Sequence, residues 1–351
     1  MCTNLEIKTV LITGGFGYVG SRLTPLLLAQ GYRVRVLDLM LYGDDGLLAL
    51  QSSAAYSEWK SRFELIRGDI RNAEIVDQAV AGIDAVIHLA AISNDPTGEI
   101  DEVLTKQVNF EAIGLLLNRA KTAGVTRFIN ASSSSVFGIK DVDDVTEELE
   151  PEPITFYSKY KALSEWLVIA ASSAGFTTVN IRPATVCGVS PRQRFDLTVN
   201  KLTADALSKG VITVHGGEQR RPNVGMTDMI NLYADLLKID GEKLNGKTFN
   251  FGFENHKVIE IAKLIQQELS DVGVRIEVTA TFDNRDYHIS SQKILKELSY
   301  QTVSSIGHEV ALLRAAMDAG EYADIDAPKY YNMQAMELRR CQDSYSFLSR
   351  T

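Results

Sequence analysis

Short apolar runs alternate with helical patterns along the first half of the chain. Residues 8–12 form an apolar run of strand length. A helical pattern follows at 20–30, then strands at 33–37 and 63–67, a helix at 72–80 and a strand at 85–89. A long helical pattern covers 99–123, and a strand is expected at 127–131. A helix from Tyr157 to about 175 leads into a strand at 177–181. Alternation of this kind predicts an α/β fold, a doubly wound parallel sheet with helices on both faces. After Pro183 the pattern changes. Residues 190–195 are polar and basic without a strict period. Helices are expected over 196–209, 227–238 and 258–268, with strands at 212–214 and 274–279. From residue 294 the chain reads as mostly helical and ends in a polar tail of weak pattern.

Composition narrows the classes without naming one. A chain of 351 residues suggests about two domains. Its 36 Lys and Arg against 45 Asp and Glu give a net charge of −9. That balance argues against general binding to nucleic acid or an anionic membrane, because both rely on basic surface. A small phosphate ligand needs only a few local donors and stays open. No apolar stretch approaches the ~18–20 residues of a membrane span. The N-terminus lacks the charged-then-apolar pattern of a signal peptide. Cys2, Cys187 and Cys341 are far apart, with no CxxC pair and no Cys/His cluster. Neither disulfides nor a metal site is expected, and a reducing, cytoplasmic compartment is.

Chemistry first appears at the end of the first strand. Gly14, Gly17 and Gly20 stand in Thr13-Gly-Gly-Phe-Gly-Tyr-Val-Gly20, between that strand and the first helix. Glycine permits a tight turn and lets backbone amides approach a pyrophosphate. The helix N-terminus then favours the negative charge. The second strand runs into Asp38, which can accept from adenosine ribose hydroxyls and would repel a 2′-phosphate. Asp69 follows the third strand, either as an adenine contact or as part of a turn before Asn72.

A second cluster follows the 127–131 strand, where Ser132 to Ser135 lead to Gly138. Later, Tyr157 and Lys161 are four residues apart and share a helix face. The ammonium can lower the tyrosine pKa, so that the phenol exchanges a proton with a hydroxyl near neutral pH. A serine can hold the same substrate oxygen.

In this order, TGGFGYVG, GDI, HLAA, SSSSVFG, YxxxK and RPxxVxG, the blocks resemble the extended short-chain dehydrogenase/reductase family, in its nucleotide-sugar epimerase/dehydratase branch. The resemblance covers about residues 8–315. It implies a Rossmann-type domain for NAD over 1–182, with a returning segment at about 215–255. A smaller α/β substrate cap would comprise 183–214 and 256–351. It implies NAD contacts from Gly14, Phe16, Gly17, Tyr18 and Gly20, from Asp38, Asp69 and Ile70, and from Leu89, Ala90, Ala91 and Asn109. Pro183 to Val186 would lie beside the nicotinamide. Ser133, Tyr157 and Lys161 would be catalytic, with Lys161 also on the nicotinamide ribose. A nucleoside-diphosphate sugar would meet Ser133, Ser134, Thr185, Arg192, Arg194, Arg221 and Arg285. Homodimerisation through the helix after Tyr157 and the one around Asn109 is also implied.

The departures from the branch shape the expected reaction. Dehydratases carry an acid one or two residues after the catalytic Ser/Thr, and this chain has Ser134 and Ser135 there. Thr185 replaces a common Asn, so grip on the substrate diphosphate is expected to shift to Arg192, Arg194 or Arg221. The leading expectation is C4 epimerisation through a transient 4-keto sugar. Its alternatives are a nucleotide-sugar 4-dehydrogenase or 4-ketoreductase, a 4,6-dehydratase, and a non-catalytic dinucleotide-sensing protein. His88, His215 and Cys187 read as structural residues, and Trp166 and Leu167 as apolar packing residues. The acidic run 141–152 reads as a solvated loop.

Overall fold

The structure, a computed structural model, describes residues 6–142, 144–280 and 288–348, with side chains described as far as residue 341. Its first strands are β1 (Thr9–Thr13), β2 (Arg33–Asp38), β3 (Phe63–Arg67), β4 (Ala85–His88), β5 (Arg127–Ala131) and β6 (Thr177–Pro183). Next come β7 (Thr185–Cys187), β8 (Val211–His215), β9 (Arg220–Gly225), β10 (Lys247–Phe251), β11 (Glu254–Lys257) and β12 (Arg275–Thr279). Seven strands form a parallel sheet in the order β10-β6-β5-β4-β1-β2-β3.

β1 is central because it can be buried on both faces. Val10 and Ile12 enter one apolar core with Leu23, Leu27 and Leu28 of the helix Gly20–Ala29. Leu11 points to the other face, with Val86, Ile113, Leu116 and Phe128. This alternation puts Val10, Leu11 and Ile12 all into a core, as in a sheet covered on both sides. The chain runs outward through β2 and β3, then crosses to β4 on the other side of β1. The strand order therefore reverses between β1 and β4, and a crevice opens there at the strand C-termini.

The remaining strands build the smaller part. β7, β9 and β11 form a three-stranded sheet, and β8 pairs in parallel with β12. Helices Thr198–Lys209, Val258–Glu268 and Ile306–Asp318 share an apolar core that includes Leu202, Ile212, Ile261, Ile265 and Val310. Within 215–255, β10 joins the main sheet whereas β9 does not.

Three local expectations need correction. The 99–123 pattern is broken into helix Glu102–Lys106, a π-turn Gln107–Glu111 and helix Ala112–Thr122. The loop after β2 contains an unforeseen helix, Asp45–Ser52. The polar tail forms the helix Asn332–Leu348.

Candidate active site

The crevice at the strand ends holds a cavity of about 660 Å³. The glycine loop forms one wall. Gly14 has φ +73°, and a Cβ there would lie 2.8 Å from the amide nitrogen of Ala90. Only glycine fits this crossing of β1 over the end of β4. A Cβ on Gly20 would lie 2.7 Å from Gly15 Cα, so the helix starts directly against the loop. The loop is braced by Gly14 N donating to Leu37 O at 2.8 Å and Gly17 N to Gly14 O at 3.1 Å. Gly14, Gly17, Tyr18 and Gly20 line the cavity. Phe16 is buried, with its ring edge-on to Phe63, and its amide turns to Asp38.

Asp38 ends β2 on the same wall. Its two oxygens accept from Phe16 N at 2.9 Å and Met40 N at 2.7 Å. Burial raises its pKa, against these amides and the charges of Arg192 and Arg67. Asp69 accepts from the backbone and guanidinium of Arg71. Burial alone would raise its pKa, but the Arg71 bonds outweigh that and lower it. Asn72 caps the next helix, so the turn reading of Asp69 and its place on the cavity wall both hold. Ile70, Leu89, Ala90 and Ala91 continue the wall.

Asn109 is placed differently from the expectation. It is fully buried behind the wall, where its amide accepts from Ile92 N and donates to Ile92 O, both at 2.9 Å. The π-turn carries it there, and it fixes the loop after β4 instead of facing the cavity.

The opposite wall carries Ser133, Ser134, Ser135, Tyr157 and Lys161. Thr155 caps the helix Phe156–Ala171 in a reciprocal capping box with Ser158, and its hydroxyl donates to Asp95 Oδ1 at 2.6 Å. A Cβ on Gly98 would lie 2.8 Å from Tyr157 Cβ, so a glycine there lets the Asp95–Gly98 turn close on the tyrosine. Lys161 is buried, and its Nζ donates to Ala131 O at 2.6 Å. Burial lowers its pKa to about 8, partly opposed by Glu165. Ser133 is extended, and its Oγ accepts from Ser135 N at 3.1 Å.

Behind this wall lies a network that the sequence did not signal. Glu165 accepts from Ser132 Oγ at 2.5 Å and pairs with Arg182 through bonds of 2.9 and 2.7 Å. Arg182 also lies over the Phe137 ring at 4.7 Å. The third guanidinium nitrogen, Nη1, is buried without a hydrogen-bond partner among the described residues.

The candidate substrate residues separate. Pro183, Thr185 and Val186 line the cavity at the end of β6 and along β7. Arg192 and Arg194 also line it. Arg194 is neutralised by Asp196 through two 2.9 Å bonds. Arg221 lies on β9 and is not among the described residues that line the cavity. Arg285 lies outside the described residues. Asn332, Met336, Arg339 and Arg340, from the polar tail, line the cavity unexpectedly.

The structural readings of the tempting residues agree with their surroundings. His88 is fully buried, its Nδ1 2.7 Å from Thr13 Oγ1. Burial, with Lys161 nearby, lowers its pKa to about 3. Cys187 is fully buried in the cap core, where burial pushes its thiol pKa up. His215 bonds Thr279 Oγ1 at 2.7 Å. The acidic run is not wholly solvated: Val145 is buried, and Glu147 accepts from Asn250 N at 2.7 Å. Trp166, expected to be an apolar packing residue, is instead 67% exposed. Among the described residues no group of three or more His, Cys, Asp or Glu is placed to hold a metal ion. Nor is any helix long and apolar enough to cross a membrane.

The family model for the NAD dependent epimerase/dehydratase family matches residues 10–252. The chain belongs to that family. The match takes in the glycine loop, Asp38, Ser133, Tyr157 and Lys161, and stops at the end of β10. Among relatives, UDP-glucuronic acid decarboxylase 1 of Xenopus tropicalis is 28% identical over 276 residues, covering 76% of this chain and 61% of that protein. The chain spans about half the length of the curated relatives it matches. The structure of DesIV, a dTDP-glucose 4,6-dehydratase from Streptomyces venezuelae with NAD and TYD bound, is 25% identical. It superposes with a TM-score of 0.76 over 88% of this chain and 97% of its own. UDP-glucuronic acid 4-epimerase from Bacillus cereus, in complex with UDP-glucuronic acid and NAD, is 24% identical and shares the fold. Its TM-score is 0.75, over 88% of this chain and 99% of its own.

Proposed function

We propose that the chain is an NAD-dependent nucleotide-sugar epimerase acting at C4. The glycine loop fits a dinucleotide because its close approach to Ala90 tolerates no Cβ, while Gly17 and Gly20 present the start of a helix to the same cavity. Asp38 favours NAD, since its half-buried carboxylate on the cavity wall would meet a 2′-phosphate as a like charge. When bound, NAD accepts a hydride from the sugar and can return it. The protein's own part is proton handling and orientation. Tyr157 accepts the proton of the 4-hydroxyl and later returns it. The Lys161 ammonium, fixed by Ala131 O, stabilises the phenolate. Ser133 Oγ holds the same sugar oxygen.

The observation that carries epimerisation over dehydration is the lack of an acid beside Ser133. Ser134 and Ser135 occupy those positions. The carboxylates of Asp38, Asp69 and Asp95 on the cavity wall are engaged by backbone amides, by Arg71 and by Thr155, respectively. Without a general acid, hydroxide is a poor leaving group at C6. The keto sugar is therefore expected to turn over and be reduced again.

We also place a homodimer contact on the helix Phe156–Ala171. Leu163, Trp166 and Ile169 are exposed there, as is Val103 on the helix packed beside it. Patches of this kind mark association surfaces. A reducing, cytoplasmic setting fits the free Cys187 and Cys341.

The test is direct. The purified protein is assayed for bound NAD, then incubated with UDP-, GDP-, CDP- and dTDP-sugars while proton NMR follows C4 inversion. Epimerisation gives an inverted sugar with no net change in nicotinamide absorbance. A stoichiometric absorbance change would instead show a dehydrogenase or ketoreductase. Inversion of no sugar, in a protein without NAD, would refute the proposal.

A further inference from the structure

Arg192 was expected at a substrate diphosphate, but its surroundings lie on the other side of the crevice. The segment around it sits on the glycine loop. Ser190 Oγ donates to Tyr18 O at 2.6 Å, and Tyr18 Oη donates to Gly188 O at 2.8 Å. Ser190 Oγ also lies 2.9 Å from Ser21 Oγ, in the first turn of the glycine-loop helix. The Arg192 guanidinium stacks 4.2 Å above Tyr42, four residues beyond Asp38. Tyr157 and Ser133 come from the β5 side, across the switch point.

Arg192 is also a buried cation that feels the charges of Asp196, Asp45 and Asp38 only at a distance, with no carboxylate in contact. It is 3% exposed and makes no ion pair among the described residues. Asp196, the nearest acid in sequence, is taken by Arg194. Its Nη2 donates to Asn332 Oδ1 at 2.6 Å, whereas its buried Nε has no partner. Tyr42 Oη, beneath it, is likewise buried without a partner. A buried cation with a spare donor and no carboxylate in contact is costly unless an anion completes it.

The C-terminal segment holds this arrangement in place. Asn332 Nδ2 donates to Ser93 Oγ at 2.9 Å, beyond β4. Arg339 Nη1 donates to Leu41 O at 3.3 Å, and Lys329 pairs with Asp45 at 2.9 Å, both in the region after β2. The segment thus spans the crevice from the β2 side to the β4 side, and Met336 lines the cavity below it.

We propose that Arg192, seated by Asn332, binds the pyrophosphate of the dinucleotide opposite the glycine loop, and that the C-terminal segment clasps the cofactor so that it stays bound between turnovers. The inference rests on the NAD reading above. The same diphosphate chemistry could come from the substrate, so the test separates the two sources.

Wild-type protein, Arg192→Gln and Asn332→Ala are desalted and then denatured, and the released NAD(H) is measured by chromatography. Thermal shifts are recorded with added NAD and, separately, with UDP. Loss of a charged hydrogen bond predicts NAD affinity lower by about ten- to a hundredfold in Arg192→Gln. A smaller loss is expected in Asn332→Ala, with the UDP shift unchanged in both. An unchanged NAD content and shift in Arg192→Gln would overturn the proposal, as would a selective loss of the UDP shift. If Arg192→Gln does not fold, Asn332→Ala alone decides, and unchanged NAD retention there overturns the clasp. A wild-type protein that neither carries nor binds NAD would instead refute the cofactor reading itself.

Discussion

Replacing Glu165 by Gln tests how the serine wall is held. Glu165 and Arg182 have side chains only 3% and 6% exposed, joined by bonds of 2.7 and 2.9 Å. The substitution keeps the shape but leaves Arg182 as a buried cation without its partner. Breaking a buried pair from one side costs about 3–5 kcal/mol. The Phe137 face at 4.7 Å remains to Arg182, which favours the low end of that range. The expected loss is therefore about 3 kcal/mol in urea unfolding, or a Tm fall of about 4 °C for a chain of this length. The double variant Glu165→Leu/Arg182→Met removes both charges and should recover at least half of the loss, because replacing a whole pair by apolar groups is often neutral. A loss below about 1 kcal/mol in Glu165→Gln would refute the reasoning, since it would place the pair in effective contact with water.

Other expectations follow from single contacts. Gly14→Ala forces a Cβ against Ala90 N at a φ of +73°, so it should destabilise the fold by more than about 1 kcal/mol and abolish retention of NAD on desalting. Cys187→Ala empties a little of the cap core, should cost about 1–2 kcal/mol, and should leave turnover intact because the thiol does not line the cavity. Trp166→Glu should convert a dimer into a folded monomer in light scattering. Lys161 titrates near 8 in the folded chain against 10.5 for the ordinary group, so between those values the unfolded chain binds more protons and stability rises with pH. Lys161→Met removes that rise, and urea midpoints of the two proteins should therefore draw apart in the variant's disfavour as pH climbs through this window.

The sheet was legible where burial on two faces leaves no choice of residue. β5 occupies 127–131 as the apolar run predicts, and the helix at 258–268 shows its stripe plainly. β9 and β11 were not legible. Arg-Arg-Pro-Asn-Val-Gly and Glu-Asn-His-Lys have little apolar pattern, and these strands exist because they pair with each other and with β7. The π-turn was hidden for a related reason: Gln107–Glu111 keeps a helical composition, and only the fit of Asn109 to Ile92 reveals the altered winding. The glycine loop, Asp38 and the Tyr157–Lys161 pair were readable as motifs because close approach and helix spacing restrict residue type. The C-terminal contribution escaped because Asn332 and Arg339 act through polar tips and Met336 is the one apolar residue of this helix among those described on the cavity wall.

The cavity is walled by segments from both ends of the chain, and this has an energetic consequence. Tyr18 in the glycine loop bonds Gly188 and is reached by Asn200, while Lys329 pairs with Asp45 and Asn332 bonds Ser93. The dinucleotide wall and the cap are therefore tied together in the folded chain, each supplying hydrogen-bond partners to the other. A ligand that fills the crevice binds only when both are in place, so its binding energy stabilises the assembled chain as a unit. At a hundredfold excess over Kd that stabilisation is about 2.7 kcal/mol. The net charge of −9 does not oppose it. Loop amides and the Arg192 guanidinium act at contact distance, where the average charge of a distant, solvated surface is largely screened.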